Sequence, residues 1–311
     1  MEQLKEALSA AGIAYKENEP LCAHCTFRIG GPADLFVLPE NEEQLCAAIR
    51  MAKEAGVKSY LLGNGSNILF EDAGYRGAVI NVSAMKSGIG VIENISFPGK
   101  DPALTYDAVV VGAGQMLSSL CMAALENSLT GLEFAYGIPG TVGGAVYMNA
   151  GAYGGEMKDV LTTVRYLAAE GEVREVPAAE LDLRYRHSIF EENSGCILSA
   201  QFHLQPGNAA DIRAKMDELM AKRVDKQPLD KPSAGSTFKR PAGAFAAALI
   251  DQCGLKGLTV GGAQVSEKHA GFVINRGGAT CADVLALVDQ VRERVLRETG
   301  VTLEREVRLL G

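Results

Sequence analysis

Apolar residues recur with helical and strand spacing in the first part of the chain. Within residues 42–55, Leu45, Ile49 and Ala52 fall on one face of a predicted helix, and Gly56 follows its end. The short apolar runs at residues 35–38 and 57–62 predict a strand on either side of that helix. This order predicts a βαβ unit.

The rest of the chain continues with alternating strand and helix patterns. Strands are predicted at residues 108–111, 160–167, 196–204 and 271–275, and the turn of a hairpin around Gly171. Helices are predicted at residues 115–127, 209–226, 245–253 and 282–298. Thr280 and Asp283 predict a capping box at the start of the last helix. The final segment, VTLEREVRLLG, alternates in polarity and predicts a terminal strand.

Residues 131–156, GLEFAYGIPGTVGGAVYMNAGAYGGE, contain eight glycines. No charged side chain occurs from Phe134 to Gly155, but Pro139 and the repeated glycines argue against a membrane span. Such a stretch permits close approach of the backbone to a ligand, with tyrosines bordering a flat aromatic body. A tight core turn between strands is the alternative interpretation, and this stretch alone leaves both open.

Two further glycine turns lie upstream. GNGSNIL, residues 63–69, follows a predicted strand and exposes backbone amides suited to a phosphate, although a plain turn between strands has the same composition. TFRIGGPAD, residues 26–34, is a second small polar turn. Neither GxxxxGK[ST] nor GxGxxG occurs, so we expect no P-loop and no Rossmann domain. Three glycine-rich segments together predict a large nucleotide held by several loops.

Composition narrows the classes of function. The chain has 311 residues, 47% hydrophobic and 22% charged, which is typical of a soluble globular protein with more than one structural unit. Its net charge of -8, without a block of Lys and Arg, argues against a nucleic-acid partner. The N-terminal segment MEQLKEALSAAG lacks the apolar centre of a signal peptide, so we expect a cytoplasmic protein.

The seven cysteines are scattered and odd in number, which predicts free thiols. Cys22, His24 and Cys25 lie close together in sequence, but no second pair of ligands occurs at matching spacing. We therefore expect neither a metal site nor a redox pair here.

Six motifs occur in order between residues 26 and 307: TFRIGGPAD, GNGSNIL, GIPGTVGGAVYMNAGAYGGE, RYRHSIF, PSAGSTFKRP and LEREV. Together they resemble the bacterial UDP-N-acetylenolpyruvoylglucosamine reductase (UDP-N-acetylmuramate dehydrogenase) family, which shares a flavoprotein superfamily with vanillyl-alcohol oxidase. The chain length resembles the family's shorter form, which lacks a tyrosine-bearing insertion. Arg240 stands where many members have asparagine.

The resemblance implies an α+β, vanillyl-alcohol-oxidase-like (PCMH-type) FAD-binding fold with a smaller C-terminal α+β substrate domain. Residues 1–80 would form the first FAD-binding subdomain, joined by residues 300–311 because the terminal strand returns to it. Residues 81–207 would form the second FAD-binding subdomain, and residues 208–299 the substrate-binding domain.

The resemblance also implies noncovalent FAD, with NADPH as a transient co-substrate. Residues 63–67 would hold the pyrophosphate, and residues 136–144 would border the isoalloxazine. The FAD-binding residues that it implies are Arg28, Gly63, Asn64, Gly65, Ser66, Asn67, Tyr136, Gly137, Ile138, Pro139, Gly140, Thr141, Gly143 and Gly144.

The implied reaction reduces the enolpyruvyl group of UDP-N-acetylglucosamine enolpyruvate to give UDP-N-acetylmuramate, a peptidoglycan precursor. Negative charge develops on the substrate carboxylate, where the planar fork of Arg186 would stabilise it, with Glu306 as its companion. Ser236 would give the proton to the carbanionic carbon. Taken without the resemblance, the pattern around Arg186 is more typical of a surface residue with a packed stem, and that around Ser236 of a loop residue that bonds its own backbone.

Substrate contacts are expected from Tyr185, Lys226, Lys239 and Arg240. We also expect a monomer that does not insert into a membrane.

Two other classes of protein would share the glycine-rich loops. A flavin oxidase of the same superfamily would not need Arg186, Ser236 and Glu306 together. A non-catalytic binder of nucleotide sugars would be colourless.

Overall fold

The structure, a computed structural model, describes residues 1–85, 88–95 and 106–311. The chain forms two units within this range. Unit 1 comprises Met1–Tyr15, Val37–Asn64 and Ile80–Lys222, and unit 2 comprises Lys16–Phe36, Gly65–Val79 and Arg223–Gly311. The three-part division expected from the resemblance stays a prediction.

The described helices include all those that the apolar spacing of the sequence predicts. Within the described residues they are α1 (Glu2–Ala10), α2 (Glu42–Glu54), α3 (Leu117–Glu126), α4 (Val142–Tyr147), α5 (Phe190–Asn193), α6 (Ala209–Lys226), α7 (Ala246–Gln252) and α8 (Cys281–Thr299).

Most strands are short, and the longest is β13. In the same range the strands are β1 (Ala14–Pro20), β2 (Pro32–Leu38), β3 (Ser59–Leu62), β4 (Ile68–Phe70), β5 (Tyr75–Asn81), β6 (Ile89–Ile95), β7 (Tyr106–Gly112), β8 (Leu129–Thr130), β9 (Gly151–Ala152), β10 (Gly155–Glu156), β11 (Leu161–Leu167), β12 (Val173–Pro177), β13 (Cys196–Pro206), β14 (Ser233–Ser236), β15 (Thr259–Val260), β16 (Ala263–Val265), β17 (Phe272–Asn275) and β18 (Arg308–Leu310). The first four-stranded sheet has the order β1-β2-β5-β3.

The main sheet of unit 1 is antiparallel, in the order β12-β11-β13-β7-β6, and β8 also pairs with β13. Buried residues of β7, β11 and β13 share one apolar cluster with residues of α3, α4 and α6. That cluster includes Val142, Ala145 and Val146 of α4. The glycine-rich segment is therefore anchored to the core of unit 1 through one face of a short helix.

Unit 2 contains the antiparallel sheet β14-β17-β16-β15 and the long helix α8. Helix α8 buries Val284, Leu287, Val288, Val291 and Val295, a spacing that gives one apolar stripe. Its first turn is held by the predicted capping box: Thr280 accepts a hydrogen bond from the Asp283 amide at 3.0 Å, and Asp283 accepts one from the Thr280 amide at 3.1 Å.

The predicted elements agree with the structure to within a few residues, apart from the chain terminus. The alternating segment predicted as one strand is a strand only at Arg308–Leu310, which pairs in parallel with β4. The prediction of one continuous strand is wrong because residues 304–306 bond residues 237–239, directly after β14, instead. There the backbone makes an isolated bridge between Phe238 and Arg305.

Among the residues that the structure describes, no helix is both long and apolar enough to cross a membrane.

Replacing Thr280 with alanine removes the hydroxyl that caps α8, so we expect the free energy of unfolding to fall by about 1 kcal/mol. Urea denaturation followed by circular dichroism measures this loss. Thr302→Ala is the matched control, because Thr302 is an exposed threonine outside any helix. Equal losses in the two variants would contradict the capping role.

Candidate functional site

The loop between β3 and β4 makes very close backbone contact through Gly65 with residues 24–26, where the TFRIGGPAD turn begins. Gly65 has a φ of 60°, and a Cβ atom built there would lie 2.4 Å from the carbonyl oxygen of His24 and 2.8 Å from Cα of Cys25. The Gly65 carbonyl also accepts a hydrogen bond from the Thr26 amide at 3.2 Å. Because no side chain fits in that space, glycine is required, and the structure brings together two glycine turns that the sequence predicted separately.

The second half of this loop presents donors. The backbone amides of Gly65, Ser66 and Asn67 donate to no other group within the part of the chain that the structure describes. Successive amides around a left-handed residue form a concavity that binds anions. An FAD pyrophosphate is such an anion, so the residues present fit the cofactor that the sequence implies.

Asn67 connects the same loop to the end of the chain. Its side-chain amide donates to the Glu306 carbonyl at 3.4 Å, and its own carbonyl accepts from the Arg308 amide at 3.0 Å. The Glu306 amide donates to the Thr237 carbonyl at 2.8 Å. Ser236 is the residue before Thr237, so the structure brings two of the predicted catalytic residues onto neighbouring backbone segments.

Ser236 ends β14 opposite Phe272 and is half-buried. Its neighbour Thr237 is buried and uses its hydroxyl to accept a hydrogen bond from the Val273 amide at 2.9 Å. The Ser236 hydroxyl has no such partner within the described residues. It therefore remains available to another molecule.

The first half of the loop contacts the glycine-rich segment of unit 1. The side-chain amide of Asn64 donates to the Pro139 carbonyl at 2.8 Å. A Cβ atom on Gly63 would lie 2.5 Å from Oγ1 of Thr141, and the Gly63 carbonyl accepts from the Asn81 side chain at 3.2 Å. These contacts join residues 63–64 to residues 139–141, both of which belong to the predicted FAD-binding set.

Thr141 is buried and caps α4 by accepting a hydrogen bond from the Gly144 amide at 3.3 Å. The Gly143 amide donates to the Ala113 carbonyl at 2.9 Å, and a Cβ atom on Gly143 would lie 2.8 Å from Cβ of Ala113. Packing inside unit 1 therefore accounts for the glycine at this position. A Cβ atom on Gly144 would meet only Thr141, at 3.4 Å.

The segment before Thr141 is an uncharged surface strip. Tyr136 and Ile138 are half-buried and pack against the core of unit 1, Gly137 lies between them, and Pro139 is exposed. The Gly140 amide bonds the Ile138 carbonyl at 2.9 Å, which turns the chain into α4. A half-exposed apolar strip of this kind suits the face of a flat aromatic ring.

Arg186 lies in a tight turn. The Arg184 and His187 backbones exchange two hydrogen bonds, of 3.2 and 3.1 Å, around Tyr185 and Arg186. Arg186 has a φ of 56°, and its guanidinium lies over the Tyr185 ring, 5.0 Å from the centroid. Holding a non-glycine residue in this conformation costs on the order of 1 kcal/mol and is common at functional sites.

Arg28 also has a left-handed backbone, with a φ of 55°, and its side chain is exposed between buried Phe27 and Ile29. The buried side chain of Asn275 donates to the Phe27 carbonyl at 3.2 Å and to the Arg28 carbonyl at 3.4 Å. These bonds hold the TFRIGGPAD turn in unit 2.

The predicted substrate-binding residues are found in three places: one in unit 1 and two in unit 2. Tyr185 is exposed beside Arg186, and Lys226 is exposed at the end of α6, 3.1 Å from Asp225. Lys239 forms an ion pair with Glu304, and the Arg240 guanidinium lies 4.6 Å from the centroid of the Phe245 ring. Lys239 and Arg240 follow Ser236 closely in the chain.

Sequence reasoning missed a set of asparagines that hold backbone carbonyls. Asn81 and Asn275 are buried and each ends an apolar strand, while Asn149 is buried within the glycine-rich segment. A polar side chain at the end of a buried apolar run was the signal, because such a group must find a hydrogen-bond partner.

The cluster of Cys22, His24 and Cys25 has a packing role. The His24 ring stacks on Phe36 with centroids 4.0 Å apart, and it shares a hydrogen bond of 2.8 Å with Glu19. Cys25 is buried, and that burial raises the pKa of its thiol.

Comparisons with known proteins agree with this geometry. Residues 33–177 match the family model of an FAD-binding domain, and residues 227–310 match the model of the UDP-N-acetylenolpyruvoylglucosamine reductase C-terminal domain. The UDP-N-acetylenolpyruvoylglucosamine reductase of Agathobacter rectalis is 50% identical, over 100% of this chain and 98% of its own length. The chain belongs to the UDP-N-acetylenolpyruvoylglucosamine reductase family.

Two further members of this family, one known by sequence and one by crystal structure, are also similar to this chain. The reductase of Clostridioides difficile is 46% identical over 95% of this chain and 93% of its own length. The crystal structure of the Thermus caldophilus reductase superimposes with a TM-score of 0.76 at 32% identity, covering 96% of this chain and 99% of that one. The predicted fold class is confirmed: an α+β, vanillyl-alcohol-oxidase-like FAD-binding fold with a smaller C-terminal α+β domain.

Replacing Gly65 with alanine places a methyl group against the His24 and Cys25 backbone and disfavours the left-handed conformation. We expect the loop to shift and FAD affinity to fall by about 10-fold or more, as a strain of 1–3 kcal/mol implies. The measurement is a titration of the apoprotein with FAD, with the ratio of flavin to protein absorbance after purification as a second readout.

Gly56→Ala is the matched control for this loss. Gly56 has a φ of 64°, but a Cβ atom there would have no neighbour within 4 Å. Its alanine variant suffers the same backbone strain without the collision. If Gly65→Ala bound FAD with the affinity of the parent, the loop would not be part of the FAD-binding site.

Proposed function

We propose that the chain carries out the reaction of its family with Arg186, Ser236 and Glu306 as catalytic residues. That reaction is the NADPH-dependent reduction of the enolpyruvyl group of UDP-N-acetylglucosamine enolpyruvate to UDP-N-acetylmuramate, in peptidoglycan precursor synthesis. The observation that supports the assignment of Ser236 and Glu306 is the backbone hydrogen bond from the Glu306 amide to the Thr237 carbonyl. It holds a carboxyl group and the Ser236 hydroxyl on adjoining segments.

FAD and the substrate are held by different parts of the chain in this proposal. The amides of Gly65, Ser66 and Asn67 bind the FAD pyrophosphate, and residues 136–144 border the isoalloxazine. When bound, FAD supplies the redox chemistry by carrying a hydride from NADPH to the enolpyruvyl double bond. Tyr185, Lys226, Lys239 and Arg240 contact the substrate.

Arg186 stabilises the charge that develops as the double bond is reduced. Electrons move from the terminal carbon toward the carboxylate, so the carboxylate oxygens gain negative charge in the transition state. A planar guanidinium can donate two parallel hydrogen bonds to them. The strained turn supports this role, because a strained residue persists only where its surroundings fix it.

Glu306 and Ser236 act on the enolate in the same reaction. The Glu306 carboxyl is the companion of Arg186 there. The Ser236 hydroxyl then protonates the carbanionic carbon, which is basic enough to accept a proton from an alcohol. Nearby Lys239, or a water molecule, neutralises the alkoxide that remains.

We also propose that the enzyme is a cytoplasmic monomer, with residues 1–80 and 300–311, 81–207, and 208–299 as its two FAD-binding subdomains and its substrate domain. The identity of the substrates supports a cytoplasmic location, since NADPH and UDP-sugars are cytoplasmic metabolites. Sedimentation analysis of the holoenzyme tests the monomer.

Replacing Arg186 with lysine keeps the positive charge but removes the planar fork. We expect turnover to fall on the order of 10²-fold, comparable to the loss of an oxyanion donor. Steady-state kinetics with the enolpyruvyl nucleotide measure the fall. Arg184→Lys is the control on the same turn, since the Arg184 side chain pairs with Asp182 at 2.6 Å. Equal turnover in the two variants would show that Arg186 is a surface residue without a catalytic role.

Ser236→Ala separates the two half-reactions and tests the proposed mechanism most sharply. A residue that only protonates the substrate carbon acts after the flavin is reduced. We therefore expect near-parent flavin reduction by NADPH and much slower reoxidation by substrate in rapid-mixing experiments, with the defect in kcat more than in KM.

Two comparisons complete the Ser236 experiment. Ser236→Cys keeps a transferable proton and should reoxidise faster than the alanine variant. Ser233→Ala, in the same strand, should behave like the parent. Reoxidation of Ser236→Ala at the parent rate would remove Ser236 from the catalytic residues, and equal slowing of both half-reactions would mean that it shapes the pocket instead.

A further inference from the structure

The turn that carries Arg186 is fixed at both ends by buried polar side chains of unit 1. Before the turn, the carbonyl of Arg184 accepts a hydrogen bond from the side-chain amide of Asn149 at 3.1 Å. After it, the hydroxyl of Ser188 donates to the carbonyl of Tyr147 at 2.7 Å. Both bonds join the turn to the same short segment, residues 147–149, at the end of α4.

Asn149 uses all of its side-chain hydrogen-bonding groups except one acceptor position. Its amide nitrogen also donates to Oε2 of Glu156 at 2.7 Å, and its oxygen accepts from the Lys158 amide at 3.0 Å. The residue is 1% exposed and has a φ of 40°. Because its backbone and its side chain are both constrained, it holds the Arg184 carbonyl in one place.

Ser188 provides the second fixed point. It is 0% exposed, so its hydroxyl cannot exchange the Tyr147 carbonyl for water. Only Tyr185, Arg186 and His187 lie between the two anchored residues. With both ends fixed, the short loop has few conformations left, and Arg186 is held in its left-handed conformation.

We propose that Asn149 and Ser188 are positioning residues for Arg186. Their hydrogen bonds fix the Arg186 turn relative to α4. The N-terminal end of α4 adjoins the strip proposed to border the isoalloxazine, so Arg186 is held in a fixed position relative to that strip. This inference rests on the proposed function of Arg186. Neither residue contacts the substrate in this account, and both act through the turn.

The test uses holoenzymes of the parent, Asn149→Ala, Ser188→Ala, Arg186→Ala and the two double variants. Loss of either anchor should slow reoxidation by the enolpyruvyl nucleotide by 10-fold to 10²-fold, the order expected when a reacting group is misplaced by about 1 Å. Flavin content and the rate of flavin reduction by NADPH should stay near those of the parent.

The double variants separate positioning from a general structural defect. If Asn149 and Ser188 act only through Arg186, neither change should slow reoxidation further once Arg186 is alanine. Asn127→Ala is the matched control, since Asn127 also donates its side-chain amide to a backbone carbonyl, that of Ala123 at 2.8 Å. It should reoxidise like the parent.

Several results would overturn the inference. Parent-like reoxidation in both single variants, or slowing that multiplies fully with the loss in Arg186→Ala, would show that the anchors do not act through the arginine. If Asn149→Ala does not fold, as thermal unfolding would reveal, the Ser188→Ala cycle decides alone. Parent-like reoxidation of Arg186→Ala itself would instead refute the proposed function of Arg186.

Discussion

Close contact between two backbone segments at Gly65 is the constraint on which the proposed site depends. The loop that it fixes presents three successive amides, and the next residue but one, Asn67, holds the chain between Glu306 and Arg308. Glu306 in turn is bonded to the residue after Ser236. A single tight contact thus connects the geometry of the proposed phosphate site to that of the proposed proton donor, within one unit.

Glycine-rich loops have few side chains with which to hold themselves, and this protein compensates with asparagines. Asn81 holds the carbonyl of Gly63, and Asn275 holds the carbonyls of Phe27 and Arg28 in the TFRIGGPAD turn. Asn149, within the glycine-rich segment itself, bonds that segment to the carbonyl of Arg184. A side-chain amide can donate two hydrogen bonds and accept others at once, so one buried residue can fix several backbone segments. The loops can therefore be rich in glycine and still be well defined.

Local pattern predicted the helices α2, α3, α6, α7 and α8 and fewer than half of the described strands. It succeeded there because apolar periodicity and the Thr280 capping box depend on residues within the element itself. It failed where structure depends on distant partners. The terminal strand is shorter than its alternation predicts, since residues 304–306 lie beside Phe238 instead. Likewise no spacing rule could pair Asn149 with Arg184, although a buried asparagine in an uncharged segment was a signal that a partner exists. The motifs indicated the family but not how each side chain is held.

The visible spectrum of the purified parent protein tests the central claim most directly, when it is followed without oxygen through successive additions of NADPH and the enolpyruvyl sugar nucleotide. We expect a flavin spectrum that NADPH bleaches and that the nucleotide restores, with UDP-N-acetylmuramate as product. A colourless protein that binds the nucleotide, or a reduced flavin that oxygen restores and the nucleotide does not, would contradict it.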